Sequence, residues 1–165
     1  MKKILSIFLS ILMCATMLSG CALGVPRPTI KKGEFAFSVT YEYQGETNTI
    51  DGVFVCEYDG LAWSLDGGWD REWKGYIKDG TSEETILLGV AEDGGQVELT
   101  LHFYPYHFMG DSHYADDEPF APWMYVRMQD EEGLWFENEP DYIAEHYGAK
   151  IIDYTYDAPI ENTFK

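Results

Sequence analysis

The stretch "GEFAFSVTYEY", residues 33–43, decides the fold class of this chain. From Phe35 to Tyr43 every odd position is apolar or aromatic, and the even positions between them are Ala, Ser, Thr and Glu. Successive side chains of a β-strand point to opposite faces, so this alternation predicts a strand with one buried face.

Similar patterns beyond this strand predict further strands joined by short turns. Gln44-Gly45-Glu46 predicts a turn into a partner strand at residues 49–58, and a second hairpin is predicted around the turn at 92–95. The remaining predicted strands are 85–91 and 96–104 in that hairpin, then 123–128, 134–137 and 150–156. Such short connections leave no room for the crossover helices of a parallel sheet.

One helix is predicted near residues 139–147. Asn138 is a candidate cap, Pro140 suits the first turn, and Gly148 can end the helix. We therefore expect a mainly β chain, a single antiparallel β-sandwich or open barrel of about seven to nine strands, with this one short helix.

The N-terminus has the layout of a secretory signal peptide. Lys2 and Lys3 precede a mostly apolar run at residues 4–18, which is too short for a spanning helix. Leu18-Ser19-Gly20-Cys21 then resembles the bacterial lipobox, in which the cysteine is lipidated and becomes the first residue of the mature protein.

The lipobox resemblance implies three regions and a location. Residues 1–20 would be a lipoprotein signal peptide, residues 21–32 the lipidated Cys21 with a short basic tether, and residues 33–165 a single acidic β-rich domain. By resemblance, Cys21 carries a diacylglyceryl group, which meets the two-chain requirement for stable anchoring. We expect an anchored protein on the outer, extracytoplasmic face of the cell membrane.

The mature region also resembles small lipoproteins of Gram-positive anaerobes. The resemblance is carried by the order "GEF-F-V-YEY", "V-CEYDG", "W-GY" and "PIEN-FK". It supports the placement at a membrane and implies no chemistry.

Charge separates the tether from the domain. The chain has 11 Lys and Arg against 29 Asp and Glu; from Gly33 onward the balance is six basic against all 29 acidic residues. Arg27, Lys31 and Lys32 form a basic collar, and each basic residue near an anionic leaflet contributes about 1 kcal/mol. Nucleic acid is not expected as a partner, because binding it needs a basic surface.

Two histidines and several carboxylates follow the second hairpin. We expect a loop of about sixteen residues at 107–122, a length at which loops are often functional. Its ligand types suit zinc or a similar ion, but no known metal-binding spacing appears. The candidate ligands are His107, Asp111, His113, Asp116 and Asp117. We expect a polar loop without metal first, with the metal site as the alternative, and no cofactor is predicted.

Aromatic residues at 63–76 form a second candidate site. Indoles on exposed loops can contact a glycan or a protein partner, and Arg71 can bind a carboxylate. Trp63, Trp69, Arg71 and Trp73 are the candidate ligand-binding residues. Within this stretch we expect Trp73 and Tyr76 to pack inside and Trp69 to be exposed.

The sequence favours a binding module over an enzyme. It contains no nucleophile motif, phosphate-binding loop or nucleotide-binding loop, and Cys56 lies in an apolar run typical of a buried, inert thiol. We expect a membrane-anchored lipoprotein that binds a protein or glycan partner. The alternative is a cell-wall or glycan-acting hydrolase that uses an Asp/Glu pair.

Overall fold

The computed structural model describes residues 24–65, 67–78, 85–111, 118–129 and 133–165. Its elements, in chain order, are β1 (Lys32–Tyr43), β2 (Glu46–Trp63), β3 (Trp69–Ile77), β4 (Thr85–Val90), β5 (Gln96–Phe103), α1 (Pro105–Phe108), β6 (Phe120–Gln129), β7 (Leu134–Glu137), α2 (Pro140–Tyr147) and β8 (Ala149–Tyr156).

The strands form two four-stranded antiparallel sheets. The first sheet has the order β3-β2-β1-β8, and the second has the order β4-β5-β6-β7. The two sheets bury a common core between them. The expected mainly β, antiparallel sandwich is confirmed.

The predicted alternation in β1 places its aromatic residues in the core. Phe35, Phe37 and Val39 are buried, while Glu34 and Ala36 between them are exposed. The turn into β2 has Gln44 and Gly45 at φ 52° and 82°, the left-handed pair that two-residue hairpins favour. The strand and the turn predicted here are both confirmed.

Aromatic rings fill most of the space between the sheets. Phe54 lies at the centre, with its ring centroid 4.1 Å from Phe37 and from Phe103, and 4.9 Å from Phe120. These rings come from both sheets, so their stacking joins the sheets directly. Cys56 lies fully buried in the same core, as expected.

The predicted helix is confirmed as α2, with a different start. Ile143 and Tyr147 are buried on one face, and Gly148 ends the helix at φ 60°. The N-cap is Glu139, without a side-chain capping bond, so the expectation that Asn138 caps the helix is wrong.

Two stretches contain regular structure that was not predicted from the sequence. Residues 63–76 belong mostly to a long hairpin, in which β2 runs to Trp63 and β3 returns from Trp69. The expected loop at 107–122 begins in α1, with His107 and Phe108 buried, and ends where β6 starts at Phe120.

The sandwich has two distinct ends. At one, residues 26–30 run beside residues 162–165, close to the turn between β2 and β3. We call this the exit end and define it as residues 26–33, 57–74, 109–111 and 158–165. At the other, the far end, the β1–β2 turn meets α2 and β8 through the Gln44 amide, which donates to the Gly148 carbonyl at 2.9 Å.

Within the described ranges, neither helix reaches the length and hydropathy needed to span a bilayer.

Candidate functional site

The β2–β3 hairpin brings the predicted aromatic set onto one face. Trp69, Arg71 and Trp73 alternate along β3, so their side chains point the same way. Trp63 is the cross-strand partner of Trp69, and the two indoles meet edge to face with centroids 5.7 Å apart. The four predicted residues therefore share a surface of the hairpin.

Arg71 holds three parts of the chain together. Its Nε donates to both oxygens of Asp111, at 2.9 and 2.7 Å, and Nη2 also binds this carboxylate. Nη1 donates to the Pro26 carbonyl at 3.1 Å, and the guanidinium lies 4.2 Å from the centre of the Phe164 ring. The hydrogen-bonded Asp111 carboxylate raises the pKa of Arg71. These contacts explain Arg71 as a structural residue.

Trp73 also contacts Asp111, the partner of Arg71. Its indole Nε1 donates to Asp111 at 2.7 Å, and its ring packs edge-on against Tyr58. Trp73 is half-buried, as expected, but Tyr76 is exposed, which contradicts the expectation for that residue. The most exposed indole is Trp63, at 61%, rather than Trp69, which is half-buried.

The predicted metal ligands do not meet in the described part of the chain. Asp111 is occupied by Arg71 and Trp73, and His107 is buried in α1 between the rings of Tyr104 and Tyr106. His113, Asp116 and Asp117 lie outside the described residues. Among the residues that are described, no three His, Cys, Asp or Glu side chains are grouped as metal ligands. The metal site stays the untested alternative to a polar loop, now without Asp111 as a free ligand.

A groove at the far end was not predicted from the sequence. It has a volume of about 360 Å³ and lies between β6, β8 and α2. Its lining is mainly apolar: Pro122, Met124, Pro140, Ile143, Ala149 and Ile151. Trp123, Asn138 and Lys150 also line it. A volume of a few hundred Å³, apolar walls and a few polar groups are typical of ligand sites.

Two unpaired strand edges border this groove. β7 pairs only with residues 126–129 of β6, which leaves Phe120–Tyr125 without a neighbour on that side in the described structure. β8 pairs with β1 alone among the described strands. Such edges present backbone donors and acceptors to which a further strand can bind.

The outer face of the second sheet is unusually apolar beside the groove. Trp123 and Phe136 are both 56% exposed, and Tyr125 packs edge-on against Phe136. Leu87 is exposed on the same face, opposite Glu98. Contiguous exposed apolar residues with a polar border are a mark of interaction surfaces.

The outer face of the first sheet is different. It carries four exposed ion pairs, Lys32–Glu57, Lys74–Asp59, Lys78–Glu34 and Lys150–Glu42, with N–O distances of 2.7, 3.1, 2.6 and 3.1 Å. Exposed pairs of this kind add little stability and are typical of a solvated surface. Of the two outer faces, that of the second sheet therefore exposes more apolar surface beside the groove.

A partly buried ion pair, with the Glu98 side chain 5% and the Arg127 side chain 43% exposed, lies within the apolar face. Glu98 points outward from β5 yet is only 3% exposed, and its Oε1 lies 2.6 Å from Nη2 of Arg127. Arg127 also donates to the Gln96 side chain. The pair neutralises two charges that would otherwise oppose apolar contact at the centre of this face.

Carboxylate pairs for hydrolysis find little support in the groove. None of its lining residues is Asp or Glu. A shallow depression of about 430 Å³ on the first sheet does include Asp51 and Asp157. Asp157, however, accepts the Ala36 amide at 2.8 Å, a structural role at the end of β8.

The groove residues carry weak signals in the sequence. Pro122 is the one usable clue, because proline within a strand is confined largely to edges and bulges, and it marks β6 as having a free edge. Nothing in the local pattern shows that this edge faces β8.

Comparison of the chain with protein-family models, with curated proteins and with solved structures gives no match.

Proposed function

We propose that the protein is an extracytoplasmic lipoprotein, anchored to the cell membrane through Cys21, and that its β-sandwich is a binding module. The observation that carries the binding role is the far-end groove, an apolar groove of about 360 Å³ between two strand edges that pair with no further strand in the described part of the chain. The lipobox resemblance of residues 18–21 supports the anchor.

The groove favours a polypeptide ligand over a sugar. A segment added beside β6 or β8 would bond to backbone groups, while its alternate side chains would enter the apolar channel. Trp123 lines the groove and is 56% exposed, and Trp is among the residue types that contribute most to binding when a partner covers them.

Charge selects a basic partner. Outside the exit end, the mature chain has 22 acidic and three basic residues. All three of those basic side chains, Lys78, Arg127 and Lys150, are already in ion pairs. A field of this sign attracts a cationic partner and raises its association rate.

The test is a calorimetric titration of the full chain in neutral phosphatidylcholine vesicles with two short peptides, one alternating Lys and Val and one alternating Glu and Val. We expect heat only with the Lys peptide. Trp123→Ala should raise its Kd at least about tenfold, equivalent to about 1.4 kcal/mol. Trp63→Ala, which removes an equally exposed indole at the exit end, should leave the Kd unchanged.

Equal binding of both peptides, or equal weakening by the two variants, would remove the groove as the site. Binding of cell-wall oligosaccharides with no binding of either peptide would favour a glycan partner instead. Hydrolysis of those oligosaccharides that is lost in Asp51→Asn or Asp157→Asn would favour the hydrolase alternative.

A further inference from the structure

The turn between β2 and β3 projects exposed apolar side chains at the exit end. Trp63 is 61% exposed, Leu65 is as exposed as in an extended chain, and the half-buried Trp69 completes the group. The Ser64 amide donates to the Gly68 carbonyl at 2.7 Å, which closes the turn. We call Trp63, Leu65 and Trp69 the hairpin tip. Single exposed apolar residues are ordinary, but three on one turn form a patch.

The chain leaves the sandwich beside this tip. Arg71 holds the Pro26 carbonyl, and the Arg27 and Lys165 backbones exchange two hydrogen bonds of 2.8 and 2.9 Å. The Leu61–Arg71 pair lies two residues from the Trp63–Trp69 pair, a separation of about 7 Å along the strands. The exit point and the tip are therefore neighbours.

A short tether keeps the tip near any lipid on Cys21. Four residues lie between Cys21 and Pro26, so the five Cα–Cα steps can span at most about 18 Å even when fully extended. The depth of the headgroup region on one side of a bilayer is smaller than this span. In an anchored molecule the exit end therefore lies no more than about 18 Å from Cys21 and can reach the membrane surface.

Charge at the exit end permits this contact. The exit end contains six basic and seven acidic residues, against three and 22 in the rest of the mature chain. Three of its acidic residues, Glu57, Asp59 and Asp111, are paired with Lys32, Lys74 and Arg71. Asp66 follows Leu65 in the sequence but lies outside the described residues. Among the described acids near the tip, Asp70 and Glu72 form no ion pair; they alternate with Arg71 and so point to the opposite face of β3.

We propose that the hairpin tip is a second membrane contact, with Trp63, Leu65 and Trp69 inserted among the lipid headgroups. Indole rings prefer this interfacial depth, because one edge is apolar and the N–H remains hydrated. The tip fixes the orientation of the sandwich and directs the far-end groove away from the bilayer. This inference rests on the proposed anchoring of the chain.

The test measures tryptophan quenching by brominated lipids in full-length protein reconstituted into vesicles of phosphatidylcholine and phosphatidylglycerol. Residues 1–32 contain no Trp, so the emission comes from the sandwich alone. The full chain is held at the vesicle by lipid on Cys21 or by its own apolar run at 4–18, so the tip is tested in either case. Retention and lipidation are measured separately, by flotation and by mass spectrometry.

We expect brominated lipid to quench part of the wild-type emission. The double substitution Trp63→Phe and Trp69→Phe should remove most of that quenching. Leu65→Glu, which keeps both indoles and alters only an exposed side chain, should reduce it by expelling the tip. Trp123→Phe is the matched control, since Trp123 is similarly exposed on the second sheet, and it should keep the quenching.

An unquenched wild type, or a Trp63/Trp69 double variant quenched as strongly as the wild type, would overturn the inference while leaving the anchor untouched. Absence of lipid on Cys21 with quenching retained would instead refute the anchor and support the tip.

Discussion

Asp111 is the residue on which the exit end depends most. Its carboxylate accepts from Arg71 on β3 and from the Trp73 indole, and through Arg71 it is linked to Pro26 and Phe164. The Asp111 and Arg71 side chains are 6% and 15% exposed, so the charges are largely removed from water. A buried charge that loses its partner is costly, whereas an exposed one is not.

Asp111→Ala should therefore lower the free energy of unfolding by about 3–5 kcal/mol, because it leaves the Arg71 guanidinium buried and unpaired. The control is Lys74→Ala, on the same strand as Arg71. It breaks the exposed pair with Asp59 and should cost at most about 1 kcal/mol. Urea unfolding of both variants measures the difference. Equal costs would show that Asp111 does not hold this end together.

A buried thiol and a buried phenol make the free energy of unfolding fall at alkaline pH. Burial raises the pKa of the Cys56 thiol from 9.0 to about 12, and burial, with the Asp93 carboxylate, raises that of Tyr147 from 10.0 to about 12. In these ranges the unfolded chain releases protons that the folded chain keeps. The stability that these two protonated groups contribute is fully present below pH 9. Above the unfolded pKa of each group, the free energy of unfolding declines by about 1.4 kcal/mol per pH unit.

Cys56→Ala should flatten the decline in unfolding free energy between pH 9 and pH 10, because in this range the unfolded chain loses the thiol proton before the Tyr147 proton. Val39→Ala is the control: it truncates another fully buried core residue and should lower stability equally at every pH. Urea unfolding across this range tests both. A Cys56→Ala protein with the wild-type pH slope would contradict the assignment.

Helices and strands whose form depends on neighbouring residues were predicted correctly from the sequence. β1, its Gln44-Gly45 turn and α2 were predicted because their apolar residues recur with the period of the element and their ends carry Gly. β3 was not predicted, because its inward positions include Arg71 and Gly75, which break the apolar alternation. Arg71 can occupy such a position only because Asp111, distant in sequence, neutralises it.

The candidate sites show the same division. Trp63, Trp69, Arg71 and Trp73 were predicted as a group from their closeness in sequence, and the hairpin does bring them together. Their separation into a structural pair and an exposed tip depends on Asp111 and Pro26, which no local pattern connects to β3. The groove could not be predicted either, because β6, α2 and β8 meet only through the packing of the two sheets.

The whole molecule has a polarity that the proposed function uses. The chain exit, the hairpin tip and most of the basic residues lie at one end, while the groove and the acidic surface lie toward the other. An anchor at Cys21 would turn this polarity into an orientation, with the groove presented to the extracytoplasmic space. The lipid on Cys21 is therefore the central claim.

Metabolic labelling with an alkyne-bearing fatty acid in a bacterial host tests that claim most directly. The wild-type protein should be labelled, Cys21→Ser should not, and Cys14→Ser should be labelled like the wild type, because Cys14 follows Leu12 and Met13 instead of the small residues that precede Cys21. Label that persists in Cys21→Ser, or a wild type that takes up none, would contradict the account.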